Sequence, residues 1–310
     1  MEINHKNENI DLSALIKLAW SEKFKIVFIT TIFLIGSIYY ALSLPNIYRS
    51  EATLASSSDS SNVSSIRSQY SAVASLAGIA VPTDNSSKKI AESIEIMKSL
   101  NFFKEFSSDE KIFFNLQAPM GWDENLNILI VDPSKFDSVK KKWVSSAPFA
   151  KNGKPSIQSA HREFLENFKV SVDKQTGFVH MYFDHYSPYI AKEILNGLIE
   201  MINEILREKD ISIANNSINY LQEEAKKASL NDVRLVINNL IQKQIETITL
   251  ANATPQYALK ILSEPNAPEI RIQPKRALIA QFGLIMGLVF SSIFVLLKNY
   301  LFIANKRTDN

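Results

Sequence analysis

Two long uncharged runs of apolar residues lie near opposite ends of the chain. The first covers residues 26–44 and is followed by Pro45, and the second covers residues 277–297. At about 1.5 Å of rise per residue, each run forms a helix of about 30 Å, which is the thickness of a bilayer's hydrocarbon core. The pattern therefore predicts two transmembrane helices.

The first run has a second interpretation, a secretory signal peptide, because Ala41-Leu42-Ser43 resembles a cleavage site. The apolar region of a signal peptide has about 7–15 residues, whereas this run has 19. Tyr39 and Tyr40 also suit the aromatic belt at a membrane surface. We therefore favour an uncleaved membrane anchor.

The second run contains Gly283 and Gly287, which are four residues apart. That spacing places both glycines on one face of a helix, where the missing side chains let another membrane helix approach closely. We predict that this face is a packing site.

Between the two runs the pattern predicts strands mixed with helices, an α+β fold. Strands are predicted at 47–54, 168–172, 177–183 and 257–262, with the second and third forming a hairpin. Residues 90–106 have helical spacing, residues 56–65 indicate a serine-rich loop, and the small apolar residues 72–81 predict a packed helix or an oligomer contact.

A long helix is predicted from Pro188, which follows a capping Ser187. Its apolar stripe predicts about 40 residues, or roughly 60 Å, and a second helix of about 20 residues after a cap signal at Ser229. The two form either a helical hairpin or one kinked helix. A helix of this length cannot bury its apolar stripe within a small domain and needs a neighbour.

A proline-spaced segment, residues 265–276, joins these helices to the second apolar run. Proline fixes φ and removes a hydrogen-bond donor, so the segment predicts a stiff extended connector. Its characteristic residues are Pro265, Pro268, Pro274, Lys275 and Arg276.

The predicted organisation has five parts. They are an N-terminal segment (1–25), the first span (26–44), a central domain (45–276, with long helices at about 188–252), the second span (277–297) and a tail (298–310). Two spans place both termini on one side of the membrane, and long domains translocate largely regardless of charge. We therefore expect cytoplasmic termini and an external central domain.

Composition narrows the possible chemistry. With 46% apolar and 21% charged residues the chain is not wholly disordered, and its net charge of +2 gives no reason to expect nucleic acid. The absence of cysteine excludes disulfides and thiolate metal sites. Neither a phosphate-binding loop nor a Gly-x-Ser-x-Gly elbow occurs, and His180 and His185 are spaced for opposite faces of a strand. We predict no catalytic, cofactor or metal site.

Taken together, the order of these features resembles the Wzz chain-length determinants, polysaccharide co-polymerases of the Gram-negative inner membrane. The resemblance rests on Ile10-Asp11-Leu12 with Trp20, then Pro45-x2-Tyr48-x-Ser50, Pro274-Lys275-Arg276 and Gly283-x3-Gly287. Looser similarity runs from His185 to Arg234. The chain resembles members without a kinase domain, because only 13 residues follow the second run.

The resemblance implies a non-catalytic regulator of O-antigen length, acting as a ring-like homo-oligomer with a Wzy-type polymerase. It also implies an α/β base near the membrane, a central domain in the periplasm, and a lipid-linked glycan as a further candidate partner. The apolar positions that we expect to contact a second copy are Ile194, Leu198, Ile205 and Leu221. Two alternatives remain open: a regulator of capsule, exopolysaccharide or common antigen, and a two-span envelope scaffold or sensor.

Overall fold

A computed structural model of the chain describes residues 20–57, 85–146, 149–228 and 230–308. The helices are α1 (Lys23–Ser43), α2 (Asn85–Lys98), α3 (Leu100–Phe106), α4 (Glu110–Gln117), α5 (Ile157–Asn167), α6 (Pro188–Lys227), α7 (Asn231–Ala253) and α8 (Arg276–Thr308). The strands are β1 (Tyr48–Ser56), β2 (Pro119–Asp123), β3 (Ile128–Val131), β4 (Phe136–Asp137), β5 (Lys142–Trp143), β6 (Phe168–Val172), β7 (Val179–His185) and β8 (Leu259–Ser263). The predicted packed segment at 72–81 and most of the serine-rich loop lie outside the described residues.

The chain divides into two compact units, one containing α1 and α8 and the other spanning Ile47–Arg271. Both apolar runs are therefore helices of the first unit. Helix α8 includes Arg276 and continues past residue 297 to Thr308, so it is longer than its uncharged run. Charged residues at the ends of a spanning helix are expected, because they lie where the hydrocarbon ends.

The second unit is built on a four-stranded antiparallel sheet with the order β6-β7-β1-β8. At one end of the sheet Tyr48 pairs with His185, and toward the other end Leu54 pairs with Val179. The predicted strands are present with shifted limits: the first runs to Ser56, and the last is Leu259–Ser263. Helix α6 packs on this sheet, which makes the fold α+β as the sequence predicts.

The core of the second unit lies between the sheet, the first half of α6 and the short helices α2 to α5. Phenylalanine fills much of it, and its largest fully buried rings are those of Phe102, Phe103, Phe164 and Phe183. Burying an aromatic side chain removes a large apolar area from water, so these rings stabilise the packing of helices on the sheet.

Helix α6 begins as its sequence indicates. The Ser187 hydroxyl accepts the Ile190 N–H, and Pro188 occupies the first turn. Its buried residues are concentrated between Pro188 and Leu206, after which only Ala214 is buried among the described residues of the helix. The second half of α6 is therefore outside the core of the sheet.

Helices α6 and α7 form a hairpin, which decides between the two arrangements that the sequence left open. They pack against each other, and Ile213 and Tyr220 of α6 line the same groove as Leu240 and Gln244 of α7. A kinked continuation would have carried α7 away from these residues.

Two small hairpins, β2–β3 and β4–β5, were not predicted from the sequence. In the first, Gly121 pairs with Ile130 and Trp122 with Leu129. The strands are too short to show a clear alternating pattern. Aromatic contacts hold them in place: Trp122 packs against Tyr48, and Trp143 packs against Phe136.

Candidate functional site

Helices α1 and α8 pack along the face of α8 that carries both glycines. A Cβ atom built on Gly283 would overlap the Ser37 side chain, and one built on Gly287 would lie 2.9 Å from the Phe33 Cβ. These contacts are tighter than side-chain carbons normally allow. The close approach that the glycine spacing predicts is therefore to the chain's own first helix in this structure, and a role for the glycines in polymer control stays a prediction.

The same interface contains one aromatic stack and one polar pair. The rings of Phe33 and Phe290 stack with centroids 5.7 Å apart. The hydroxyl oxygens of Thr30 and Ser291, both buried, lie 3.4 Å apart, and each hydroxyl also donates to a carbonyl of its own helix. Small polar residues at such interfaces satisfy their hydroxyls without separating the helices.

Arg276 joins the first turn of α8 to the last turn of α1. Its Nε donates to the Ala41 carbonyl and its Nη2 to the Asn46 side-chain oxygen, each at 3.2 Å. The final carbonyls of a helix have no intrahelical donor and carry partial negative charge, so a guanidinium there is favourable. Sequence reasoning placed Arg276 in the connector, but the structure makes it the first residue of α8.

Both helices are long and apolar enough to cross a membrane. Most of their apolar side chains are exposed, including Phe24, Phe28 and Ile35 of α1 and Phe282 and Phe294 of α8. A helix that is apolar on all sides belongs in a protein core or in a membrane. These side chains are not covered by protein, which is the arrangement expected of helices surrounded by lipid.

The connector is held to the sheet at its N-terminal end. The Ser50 hydroxyl on β1 donates to the Asn266 carbonyl at 2.7 Å, between Pro265 and Pro268. Residues 264–272 have no regular secondary structure, and the Gln273–Pro274 peptide bond is cis. The stiffness expected for this segment remains a prediction.

Below the N-terminus of α6, His185 is buried at the end of β7. Its Nε2 lies 2.9 Å from the Asn115 carbonyl, which requires that nitrogen to carry the proton, and its Nδ1 accepts the Ser187 N–H at 3.0 Å. Burial lowers the pKa of His185 because the charged imidazolium would lose its hydration. The neutral ring thereby connects α4, β7 and the first turn of α6.

The preceding residue, Asp184, is also buried and carries its charge in a network. Its carboxylate accepts two hydrogen bonds from Arg49, at 2.6 and 2.8 Å, and one from Lys169 at 3.2 Å. Arg49 and Lys169 lie on β1 and β6, the two strands that flank β7. The network therefore links three neighbouring strands of the sheet through one carboxylate. Asp184 and His185 thus both have structural roles at the end of β7.

One buried amide ties α6 to β8. The Asn203 Oδ1 accepts the N–H groups of Ala258 and Leu259, and its Nδ2 donates to the carbonyls of Ile199 and Leu259, all at 2.8–3.1 Å. Every hydrogen-bonding position of the side chain toward this strand is thus used, which makes the amide costly to replace.

The hairpin of α6 and α7 presents an open groove of about 550 Å³, lined by Ile213, Asn216, Ser217, Tyr220, Leu221, Leu240 and Gln244. Helix α7 buries only Ile237 and Ala251. Several of its large apolar side chains remain exposed: Val233, Leu235, Val236, Leu240, Ile245 and Leu250. Exposed apolar area of this extent on one helix is typical of a surface that contacts another protein.

The four predicted oligomer contacts fall in different environments. Ile194 and Leu198 are buried in the core of the second unit, so a second copy cannot reach them, and the expectation for these two residues is corrected. Their helical periodicity reflects packing on the sheet. Ile205 is partly buried against the same core, and Leu221 lines the groove.

Among the described residues, no group of three or more histidine, aspartate or glutamate side chains could hold a metal ion. The acidic residues that stand out have structural roles. Asp132, for example, accepts the Ser134 N–H and hydroxyl at 2.8 and 2.7 Å, and these hydrogen bonds lower its pKa. The described features, which are the α1–α8 interface, the buried polar networks and the exposed face of α7, serve packing and protein contacts.

The N-terminal third of the chain matches a known family. Residues 8–110 match the family described as "Wzz: Chain length determinant protein". The resemblance to Wzz proteins found in the sequence is therefore confirmed. No curated protein sequence matches the chain.

Two solved structures are similar to the chain at low identity. One, a "full-length bacterial polysaccharide co-polymerase", is 14% identical, with 94% of this chain and 97% of that chain covered and a TM-score of 0.38. The other, a fragment of WzzB, a polysaccharide co-polymerase from Salmonella Typhimurium, is 10% identical, with 74% and 100% covered and a TM-score of 0.28.

Proposed function

We propose that this chain, whose residues 8–110 match the Wzz chain-length determinants, is a non-catalytic regulator of polysaccharide chain length. That match is the observation that carries the proposal. The family is described by its determination of chain length. The matched residues include α1 and β1, so they cover the first candidate membrane span and the first strand of the second unit.

The proposal places the chain in a bacterial inner membrane with α1 and α8 as spans and the second unit in the periplasm. The exposed apolar surfaces of the two helices support a lipid environment. Both ends of the second unit lead into these helices, so it lies on one side of the bilayer while both termini lie on the other.

Length control is proposed to need a homo-oligomer. The exposed apolar side chains of α7, together with the groove beside Leu221, support a contact between copies, because one chain leaves them facing water. A ring of such copies would work with a Wzy-type membrane polymerase and with the lipid-linked glycan that the polymerase extends. O-antigen is the polymer that we propose.

The test is the surface-polysaccharide ladder of a deletion strain, resolved on a silver-stained gel, with and without the chain supplied back. A modal cluster that disappears on deletion and returns on complementation supports length control. An unchanged O-antigen ladder contradicts the O-antigen proposal, and the same comparison on capsule, exopolysaccharide and common antigen then decides among the remaining polymers.

The ladder also separates a regulator from an export scaffold. Loss of a regulator changes the length distribution and leaves polymer on the surface, whereas loss of a scaffold removes surface polymer altogether. A Gly36→Leu variant should also restore the modal cluster, because a Cβ at Gly36 meets no atom within 4 Å. It therefore serves as a positive control for complementation by a substituted chain.

A further inference from the structure

The β2–β3 hairpin has one face packed on the protein and one face open. Paired residues of an antiparallel ladder point to the same side, and successive residues alternate. Trp122 and Leu129 therefore share one face, and Ile128 and Ile130 lie on the other. On the open face and its turn, Leu126 is 67% exposed, Ile128 54% and Ile130 47%.

The packed face is fixed by aromatic contacts. The Trp122 ring makes edge contacts with Tyr48 and Tyr189, with centroids 5.6 and 6.1 Å away, and its indole N–H donates to the Asn127 side chain at 3.1 Å. These contacts hold the hairpin rigidly at the end of the sheet where Tyr48 begins β1. The open apolar face is thus a fixed surface of the second unit.

Tyr48 also stands close to the membrane anchor along the chain. Only residues 44–47 separate it from Ser43, the last residue of α1. Since an extended chain spans at most about 3.6 Å per residue, Tyr48 lies within about 18 Å of the end of that helix. In the proposed two-span topology, covalent connectivity therefore keeps Tyr48, and the Trp122 ring that contacts it, within reach of the membrane surface.

The charges of the hairpin limit how deeply it can enter a membrane. Asp123 pairs with Ile128 and so lies on the open face, where its carboxylate accepts the N–H groups of Asn125 and Leu126 in the turn at 2.9 and 3.1 Å. Glu124 is exposed beside it. A carboxylate is costly in hydrocarbon, so the apolar face must lie flat at headgroup level, where apolar and aromatic residues are also favourable.

We propose that the exposed apolar side chains of the β2–β3 hairpin, Ile128 and Ile130 on its open face and Leu126 in its turn, dock onto the lipid surface of the membrane that α1 and α8 span. This inference rests on the proposed two-span topology. The contact fixes the second unit at a third point, besides its two chain connections. The occupant is the bilayer interface, because the hairpin is tethered to it, is rigid and is apolar on one side.

The chain has no cysteine, so single-cysteine variants can carry a fluorophore without further changes. We would label Ile128→Cys with an environment-sensitive nitrobenzoxadiazole group and reconstitute the full chain in phosphatidylethanolamine–phosphatidylglycerol vesicles. Lipids with a nitroxide on the headgroup then quench any fluorophore at the surface. The matched control is Val172→Cys, an exposed strand residue that pairs with Val179 at the far end of the sheet.

Docking predicts a loss of emission at residue 128 when nitroxide headgroups are present and no loss at residue 172. Equal quenching of the two labels, or none at residue 128, overturns the proposal. In a separate sample, the nitroxide is attached to an unlabelled second copy of the chain instead of to the lipid. If only this nitroxide quenches the label at residue 128, the proposal is overturned and the face is a contact between chains.

A third label distinguishes this result from a failure of the proposed topology. Ile35 is 62% exposed near the middle of α1, so an Ile35→Cys label is quenched by lipids with a nitroxide deep in the acyl chain if α1 spans the bilayer. Quenching at residue 35 without quenching at residue 128 overturns the docking alone. No quenching at residue 35 overturns the two-span topology as well.

Discussion

The Cα atom of Thr30 lies 3.0 Å from the position that a Cβ on Gly287 would occupy. Helix α1 therefore leaves no room for any larger residue at this point of α8. In lipid the hydrophobic effect does not drive helices together. Close backbone contact of this kind lets van der Waals attraction and weak polar contacts hold them instead.

Leucine at Gly283 should separate the two helices. In a Thr30→Cys, Ser291→Cys background, whose native hydroxyls are 3.4 Å apart, we expect efficient disulfide formation that is mostly lost when Gly283→Leu is added. The readout is the mobility shift on a non-reducing gel. Adding Gly36→Leu instead should leave the cross-link intact, and equal loss in both variants would mean that bulk alone, rather than this interface, is responsible.

The same packing should influence polymer length. We expect Gly283→Leu and Gly287→Leu to broaden the modal cluster of the polysaccharide ladder, because a loosened helix pair no longer presents one geometry to a partner. Protein amount in the membrane is measured in parallel by immunoblot. Normal length distributions in both variants, at normal amounts, would remove the glycines from the account of length control.

Stability of the second unit should depend on the protonation of His185. Its pKa is lowered by burial, so the folded protein excludes a proton that the unfolded chain binds below its ordinary pKa of 6.5. Stability is thus full above that pH and falls below it, by up to about 1.4 kcal/mol per pH unit for one proton. Urea unfolding of the detergent-purified chain between pH 7.5 and 5 gives the slope.

The comparison that isolates His185 is between slopes. His185→Gln should flatten the loss of stability at acid pH even if it lowers stability at pH 7.5. His180→Gln makes the same substitution at a partly buried histidine of the same strand and serves as the matched control. A slope unaffected by His185→Gln would assign the acid sensitivity to other groups.

Asn203→Leu should destabilise the second unit by roughly 3 kcal/mol, because it leaves the Ala258 and Leu259 N–H groups buried without an acceptor. The urea midpoint measures the effect. Asn215→Leu, at an exposed position of the same helix, is the control and should change stability by less than about 0.5 kcal/mol. Similar effects of the two substitutions would refute the role of the buried amide.

A charge on the exposed face of α7 should weaken self-association. Leu235 is 62% exposed on that helix, and Leu235→Lys would place an ammonium group in the proposed contact between copies. We expect a smaller assembly by light scattering coupled to size exclusion in detergent. Asn239→Lys adds the same charge at an exposed polar position of α7 and should leave the assembly unchanged. If the Leu235→Lys assembly keeps its size, this face is not the contact.

Long periodic segments could be predicted from the sequence because many residues repeat the same signal. The 40 residues of α6 and the two apolar runs are of this kind. By contrast, β2 and β3 have five and four residues, and Trp122 is held by rings distant in sequence. Short strands of this kind are specified by tertiary contacts more than by their own pattern.

Periodicity also failed to identify what each apolar residue contacts. Ile194 and Leu221 belong to one helical stripe, yet the first is buried against the sheet and the second lines an open groove. The two glycines of α8 carried more information, since their spacing leaves one face of the helix open to close approach by another. The neighbour itself, α1 with Thr30 and Ser37, could be known only from the structure.

The fixation of α6 by Asn203 gives the long helix a mechanical property. About 24 residues lie between this amide and Lys227, a distance of about 36 Å along the axis. Rotation of the helix by about 5° at this fulcrum would move its far end by about 3 Å, nearly the width of an atom. The hydrogen bonds of Asn203, together with the buried residues around it, thus limit how far the distant end of the hairpin can move sideways.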